Sequence, residues 1–186
     1  MLKNLSSSIK RKIVKFQNIS SIKKKHKNEK VILCHGVFDV VHPGHLRHFL
    51  FAKSKADILV VSCTSDQYIN KGIYRPHVPE KLRAFNLAVL EMIDYVIIDN
   101  AKKPLSLIKK LKPNFFAKGF EYNKVSESNE ATKEEINLVE SFGGEMIFTP
   151  GDVVFSSSKI INKFSPKIDD EKLIYLMENN NIKFDK

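Results

Sequence analysis

The chain has 186 residues, 42% of them hydrophobic, and a formal net charge of +10, enough for one well-buried domain and short for two. No apolar run approaches the ~20 residues that cross a bilayer, the N-terminus lacks the apolar core and cleavage site of a signal peptide, and two cysteines form no disulfide framework. These features exclude a helical membrane protein and a disulfide-built secreted module, and they predict a cytoplasmic protein whose Cys34 and Cys63 are buried thiols.

The charge is local. Residues 1–30 carry ten Lys/Arg against one acidic residue, Glu29, and the remainder holds 21 against 20. Ile9, Ile13, Phe16, Ile19 and Ile22 recur at spacings of three and four, which predicts one or two helices in an arm over 1–29 that lay an apolar stripe on the domain. The arm's lysines read as a solvated face; the competing reading is a surface for RNA, DNA or an anionic membrane, and nucleic acid is not the expected partner.

Residues 30–165 alternate strand and helix. An apolar run at 31–34 predicts the first strand, broken at His35-Gly36 by a residue that tolerates positive φ or a close ligand. A helix follows over 43–55, a strand over 57–63, a helix over 79–91, a strand over 95–98 and a short helix over 105–111 stopped by Pro113. A strand at 114–118 leads into a polar stretch at 119–132 that reads as a loop over the site or a solvated insertion. Thr132 and Glu135 have the spacing of a capping box for a helix running to Phe142, Gly143-Gly144 stops it, and 146–148 supplies a fifth strand. This order predicts an α/β fold, a Rossmann-like doubly wound parallel sheet of five strands in the order 3-2-1-4-5 with helices on both faces. Residues 166–186 hold a further amphipathic helix over 169–179, which packs on the domain, pairs with a second copy in a homodimer, or links to another domain.

The chemistry concentrates after the first strand. In His42-Pro43-Gly44-His45, proline suits the first helical turn and the two imidazoles, three apart, share a face beside free helix-start amides, an anion site at the end of a parallel strand. Plain helix capping or a zinc pair extended by His48 or His35 are the bland alternatives; no cluster at zinc spacing supplies further ligands. Ser156, Ser157 and Ser158 precede a helical 159–163, where hydroxyls and amides can cap the helix while binding β and γ phosphates. Lys53 and Arg83 can hold phosphate oxygens, although Lys53 and Lys71 also read as solvated lysines and Arg83 as a surface ion pair. Asp39 fixes its own turn or a substrate hydroxyl.

Four motifs in this order resemble the nucleotidylyltransferases with a His-x-Gly-His signature: GVFDVVHPGH at 36–45, Arg83, KGFEY at 118–122 and FSSSKII at 155–161. The resemblance spans about 30–163 and is strongest to the cytidylyltransferase-like branch that holds the ADP-heptose synthases and glycerol-3-phosphate cytidylyltransferases, with 134–148 more like the heptose enzymes. Two departures stand out: Gly151-Asp152-Val153-Val154 replaces a stretch with an arginine in the glycerol-phosphate enzymes, and Lys118-Gly119-Phe120-Glu121-Tyr122 replaces Lys-Gly-Gly-Asp-Tyr in the heptose enzymes.

The resemblance implies transfer of AMP or CMP from a nucleoside triphosphate, carried with Mg²⁺, to a phosphorylated sugar or polyol, releasing pyrophosphate. It implies His42, His45, Lys53 and Arg83 as catalytic, and Gly36, Val37, Phe38, Gly44, Lys118, Gly119 and the three serines as nucleotide-binding. Asp39, Asp66, Lys71 and Tyr122 would bind the acceptor, no protein metal cage is expected, and a ribokinase-type sugar kinase domain beyond the C-terminus is the implied partner. The alternatives are a glycerol-3-phosphate cytidylyltransferase-like enzyme, transfer to a non-sugar phosphate such as a flavin or pantetheine precursor, and a non-catalytic module that binds nucleotide or nucleic acid through the basic arm.

Overall fold

A computed structural model describes residues 7–70, 75–119 and 130–150. Its strands fall on the apolar runs: β1 (Val31–Gly36), β2 (Ile58–Thr64), β3 (Tyr95–Asp99), β4 (Phe115–Lys118) and β5 (Glu145–Phe148). All neighbouring pairs are parallel, and the order β3-β2-β1-β4-β5 is the one predicted. β1 and β2 are central, and β2 is buried along its whole length, as expected of strands covered on both faces.

Alternation along each strand sorts side chains between two cores. Ile32, Cys34, Leu59, Val61, Cys63 and Val96 face one core with Phe49 and Ala52 of α3 (Pro43–Lys55) and Ala84 and Leu87 of α4 (Glu80–Ala88). Val31, Leu33, Val60, Ile97 and Phe116 face the other, with Leu107, Ile108 and Leu111 of α5 (Leu105–Leu111) and Val139 of α6 (Glu130–Glu140). Both cysteines are buried and free.

The basic arm is part of this core. α1 (Ser7–Lys12) and α2 (Ser20–Lys25) are separated by an extended step in which Ile13 bridges Val96 in parallel and the Val14 N–H donates to Val96 O at 2.8 Å. Ile9 and Ile13 pack on the α3/α4 core, whereas Ile19 and Ile22 are buried in the other. The stripe therefore wraps both faces of edge strand β3 and covers its exposed backbone, where a purely helical arm would reach one face.

Two local expectations change. α6 begins at Glu130, so Thr132 sits inside the helix and caps nothing; its hydroxyl, and the Glu135 carboxylate one turn on, face Lys118. Gly36 ends β1 without positive φ; that conformation falls on Phe38, φ 51°. At the far end of α6 Gly143, φ 80°, ends the helix as expected. The helix expected over 169–179 lies outside the described residues, as does most of the 119–132 loop.

Candidate active site

The connections from adjacent strands β1 and β4 diverge, α3 passing to one face and α6 to the other. Such a switch point leaves a crevice at the carboxyl ends of the strands. His42 is the residue before α3, extended at φ −133° and ψ 169°, and Pro43 opens the helix. The His42 and His45 rings stack with centroids 3.8 Å apart and planes 23° from parallel. Phe38 meets His45 edge-on at 5.0 Å and lies 5.2 Å from Phe49.

This buttress explains Gly36. A Cβ there would lie 2.9 Å from the Phe38 ring, so glycine makes room for the phenylalanine, which corrects the expectation that it makes room for a phosphate. An aromatic residue at positive φ costs about 1–3 kcal/mol, a cost that persists where surrounding packing demands it. Phe38 is 6% exposed, so its ring is buried within this buttress.

One turn after His45, the His48 Nδ1 hydrogen-bonds the Thr149 hydroxyl, which donates to Lys118 O at 3.2 Å. Desolvation holds the His48 imidazole down at about 4, so it is neutral near pH 7. α3 is thereby tied to the ends of β4 and β5.

A second network surrounds Asp39. Its Oδ1 accepts the Val78 N–H at 2.9 Å and its Oδ2 faces Arg75 Nη1 at 3.2 Å. Burial alone would raise its carboxyl, but the Val78 and His77 amides and Arg75 hold it below the usual carboxylate range. Of its two expected readings, the geometry favours the turn-fixing one. Arg83 is entirely buried: Nε donates to Val78 O at 2.8 Å, Nη1 to Val37 O at 2.5 Å, and Nη2 to Thr64 O at 2.8 Å and Asp66 Oδ1 at 2.6 Å. It clamps the signature turn to the end of β2, so its guanidinium is engaged by the chain itself where the expectation put it on phosphate oxygens. Asp66, expected to bind the acceptor, instead caps α4: its Oδ2 accepts the Glu80 N–H while Glu80 accepts that of Asp66.

Lys53 is also corrected. Its ammonium reaches Asp94 Oδ2 at 2.6 Å and Asp57 O at 2.5 Å, beside the starts of β2 and β3. That is the opposite edge of a parallel sheet, ~15 Å along the helix from His42 at 1.5 Å per residue. Lys118, expected to bind nucleotide, is at the right edge and pairs with Glu135 and Thr132 of α6. Gly44 lies in the first turn of α3 and Gly119 directly follows β4. Lys71, Tyr122, Ser156, Ser157 and Ser158 lie outside the described residues.

Two residues at this edge, Asp99 and Ser65, escaped the sequence reading, and a third, His35, was read only as a strand break and a candidate zinc ligand. His35 Nδ1 hydrogen-bonds Ser62 Oγ at 2.7 Å and its Nε2 faces Thr64 Oγ1 at 3.3 Å; desolvation, then Lys118, lowers it to about 4. Asp99 ends β3 with 1% exposure, and burial pushes its carboxyl up to about 6. Ser65, also 1% exposed, donates its N–H to Asp99 O at 3.0 Å. A polar residue ending an apolar strand of a parallel sheet was the available signal.

Comparisons with known proteins agree with this geometry. The profile of the family described as cytidylyltransferase-like matches residues 33–163. The chain is similar to the bifunctional protein HldE of Helicobacter pylori strain J99, 41% identical over 138 residues covering 73% of this chain and 27% of that one. It is 32% identical to the bifunctional protein HldE of Campylobacter fetus subsp. fetus over 164 residues, 87% of this chain and 33% of that one. The chain thus spans about a quarter to a third of the length of these relatives. Among solved structures, a lipopolysaccharide core biosynthesis protein from Thermoplasma volcanium GSS1 aligns with a TM-score of 0.56 at 22% identity, covering 68% of this chain and all of that one. The pantoate-beta-alanine ligase from Francisella tularensis, complexed with beta-gamma ATP and beta-alanine, aligns with a TM-score of 0.57 at 17% identity, covering 92% and 79%. At these identities the two structures speak for the fold.

Proposed function

The chain belongs to the cytidylyltransferase-like family of nucleotidyltransferases, and from that premise we propose that it transfers AMP, with CMP as the alternative, from a nucleoside triphosphate to a sugar phosphate. The HldE relatives favour a heptose 1-phosphate acceptor. The observation that carries this reading is the stacked His42–His45 pair at the start of α3, beside the switch point.

The acceptor's phosphate monoester is already anionic near neutral pH, so its oxygen attacks the α-phosphorus without a strong general base. A bond forms between that oxygen and phosphorus as the bond to the β-phosphate bridging oxygen breaks, and pyrophosphate leaves. Negative charge grows on the α-phosphate oxygens and on the leaving group, and donors fixed there stabilise the transition state more than the substrate. His42 and His45 are assigned that role, with the serine run at 156–158 on the outer phosphates. Among the described residues no group of three or more His, Cys, Asp or Glu is placed to hold a metal. Mg²⁺ enters with the triphosphate, held through phosphate oxygens and water.

The acceptor's own phosphate requires a kinase, which the resemblance supplies as a ribokinase-type partner domain. The nucleic-acid reading of the arm loses ground, because Ile19 and Ile22 belong to the core and Lys12 and Lys25 bond Leu90 O and Tyr95 OH. Among the described residues no helix is long and apolar enough to cross a membrane.

The test is a thermal-shift screen of the four nucleoside triphosphates, then pyrophosphate release with the stabilising nucleotide, Mg²⁺ and a panel of sugar and polyol phosphates. ATP is expected to raise the melting temperature and to support release with heptose 1-phosphate. Stabilisation by no triphosphate and release with no acceptor would overturn the reading; stabilisation by CTP and release with glycerol 3-phosphate would move it to the glycerol-phosphate branch.

A further inference from the structure

Strand alternation and register place a polar row across the carboxyl end of the sheet, on the face covered by α5 and α6. Lys118 ends β4, His35 lies near the end of β1 opposite Ser62, and Thr64 ends β2 opposite Asp99, the last residue of β3. Lys118 is engaged with Glu135, and His35 with Ser62 and Thr64. Asp99 and Ser65 differ: neither carboxylate oxygen of Asp99, nor the Ser65 hydroxyl, has a hydrogen-bond partner among the described residues, although both residues are 1% exposed.

A fold gains nothing from burying a carboxylate or a hydroxyl without a partner, because each loses its water and receives no replacement. The backbone link from the Ser65 N–H to Asp99 O ties the end of β3 to the residue after β2, and strand alternation sends the two side chains to opposite faces. Asp99 closes β3 and Ser65 follows β2, and both open irregular chain, the bends at 101–103 and the turn at Asp66–Tyr68. Loops of that kind part for a ligand more readily than a helix or a sheet.

We propose that Asp99 forms a subsite that recognises hydroxyl groups of the phosphorylated acceptor. This rests on the nucleotidylyl-transfer reading above. A carboxylate takes O–H donors on both oxygens, which suits a vicinal diol. Strands spaced about 4.8 Å put β3 ~10 Å from β1. That is the reach of a sugar whose phosphate lies at the histidines and whose distal hydroxyls lie over β3. A cation is the weaker occupant, since no group of three or more His, Cys, Asp or Glu gathers among the described residues.

The experiment measures pyrophosphate release by the full chain with ATP, Mg²⁺ and heptose 1-phosphate, mannose 1-phosphate or glycerol 3-phosphate. The best acceptor is then compared with its counterpart lacking one hydroxyl. The unaltered chain should favour the hydroxylated form by ~10- to 100-fold in kcat/KM. Asp99→Ala should abolish that preference and raise the acceptor KM at least ~10-fold while the ATP KM stays within about twofold, and Asp99→Asn should fall between. Asp99→Ala should melt at or above the unaltered temperature, because an unpaired buried group has been removed. An unchanged acceptor KM and preference in Asp99→Ala would overturn the subsite alone, as would a melting temperature several degrees lower in that variant. Absence of release from the unaltered chain with every acceptor counts against nucleotidylyl transfer itself.

Discussion

The two ends of the same sheet are built on different terms. At the amino end side chains cap the starts of β1 and β2: Asp94 accepts the Leu59 N–H at 2.7 Å and the Lys53 ammonium, Asp57 accepts the Lys30 N–H at 2.8 Å, and Asn114 accepts the Val31 N–H at 3.0 Å and the Lys23 ammonium. At the carboxyl end the chain tolerates a phenylalanine at positive φ, two stacked imidazoles, and a buried carboxylate and a buried hydroxyl without partners among the described residues. One end holds the fold together; the other accepts local cost that a ligand can offset.

The contrast can be broken most forcefully at Arg83, the point where the carboxyl end is held rather than poised. Arg83→Leu leaves three carbonyls and Asp66 without their donor and should cost about 3–5 kcal/mol, with lysine restoring little because it cannot span the fork. Denaturant unfolding would measure it, and a loss below about 1 kcal/mol would remove the clamp from the account. His45→Ala probes the poised half: pyrophosphate release should drop by about 10²- to 10³-fold with little change in melting. Full turnover in that variant would strip the stacked pair of its role.

Acid sharpens the contrast next. His35 and His48 are lowered from 6.5 to about 4, so between those values the unfolded chain binds more protons. Their contribution is complete above pH 6.5 and is lost as pH falls towards 4, on the order of 1–2 kcal/mol each after discounting for partial exposure. Asp99 runs the other way: raised from 3.8 to about 6, it favours the folded state as pH falls through 6. Melting curves from pH 7.5 to 4 should therefore decline on the acid side, less steeply in His48→Asn, and Asp99→Ala should gain most over the unaltered chain above pH 6. A flat acid limb would contradict the buried neutral imidazoles. The smallest effect belongs to the amino end. Lys53→Met should cost under about 1 kcal/mol and leave turnover within about twofold; a hundredfold loss would return Lys53 to the site.

Much of this architecture was legible in the chain. The helix over 43–55 begins and ends as read, because Pro43 and the apolar spacing define it, and the strand order follows from alternation of strand and helix. The histidine pair was legible as well, since i and i+3 must share a helical face. Lys53 and Arg83 were misplaced for one reason: a cation's sequence position says nothing about which end of the sheet its helix has reached, or which carbonyls converge on it. Lys118 was located at the correct edge, but Glu135 is 17 residues away and only the return of α6 brings it near.

The amino-acid order alone determined the fold class, the two cores and the signature at the start of α3, because these depend on periodicity and on neighbours within a few residues. Tertiary structure alone decided that Gly36 exists for Phe38, that the arm is core, that Arg83 is a clamp, and that Asp99 lies buried beside Ser65. Burial and hydrogen-bond satisfaction are properties of contacts between distant segments, and a local pattern carries no record of them.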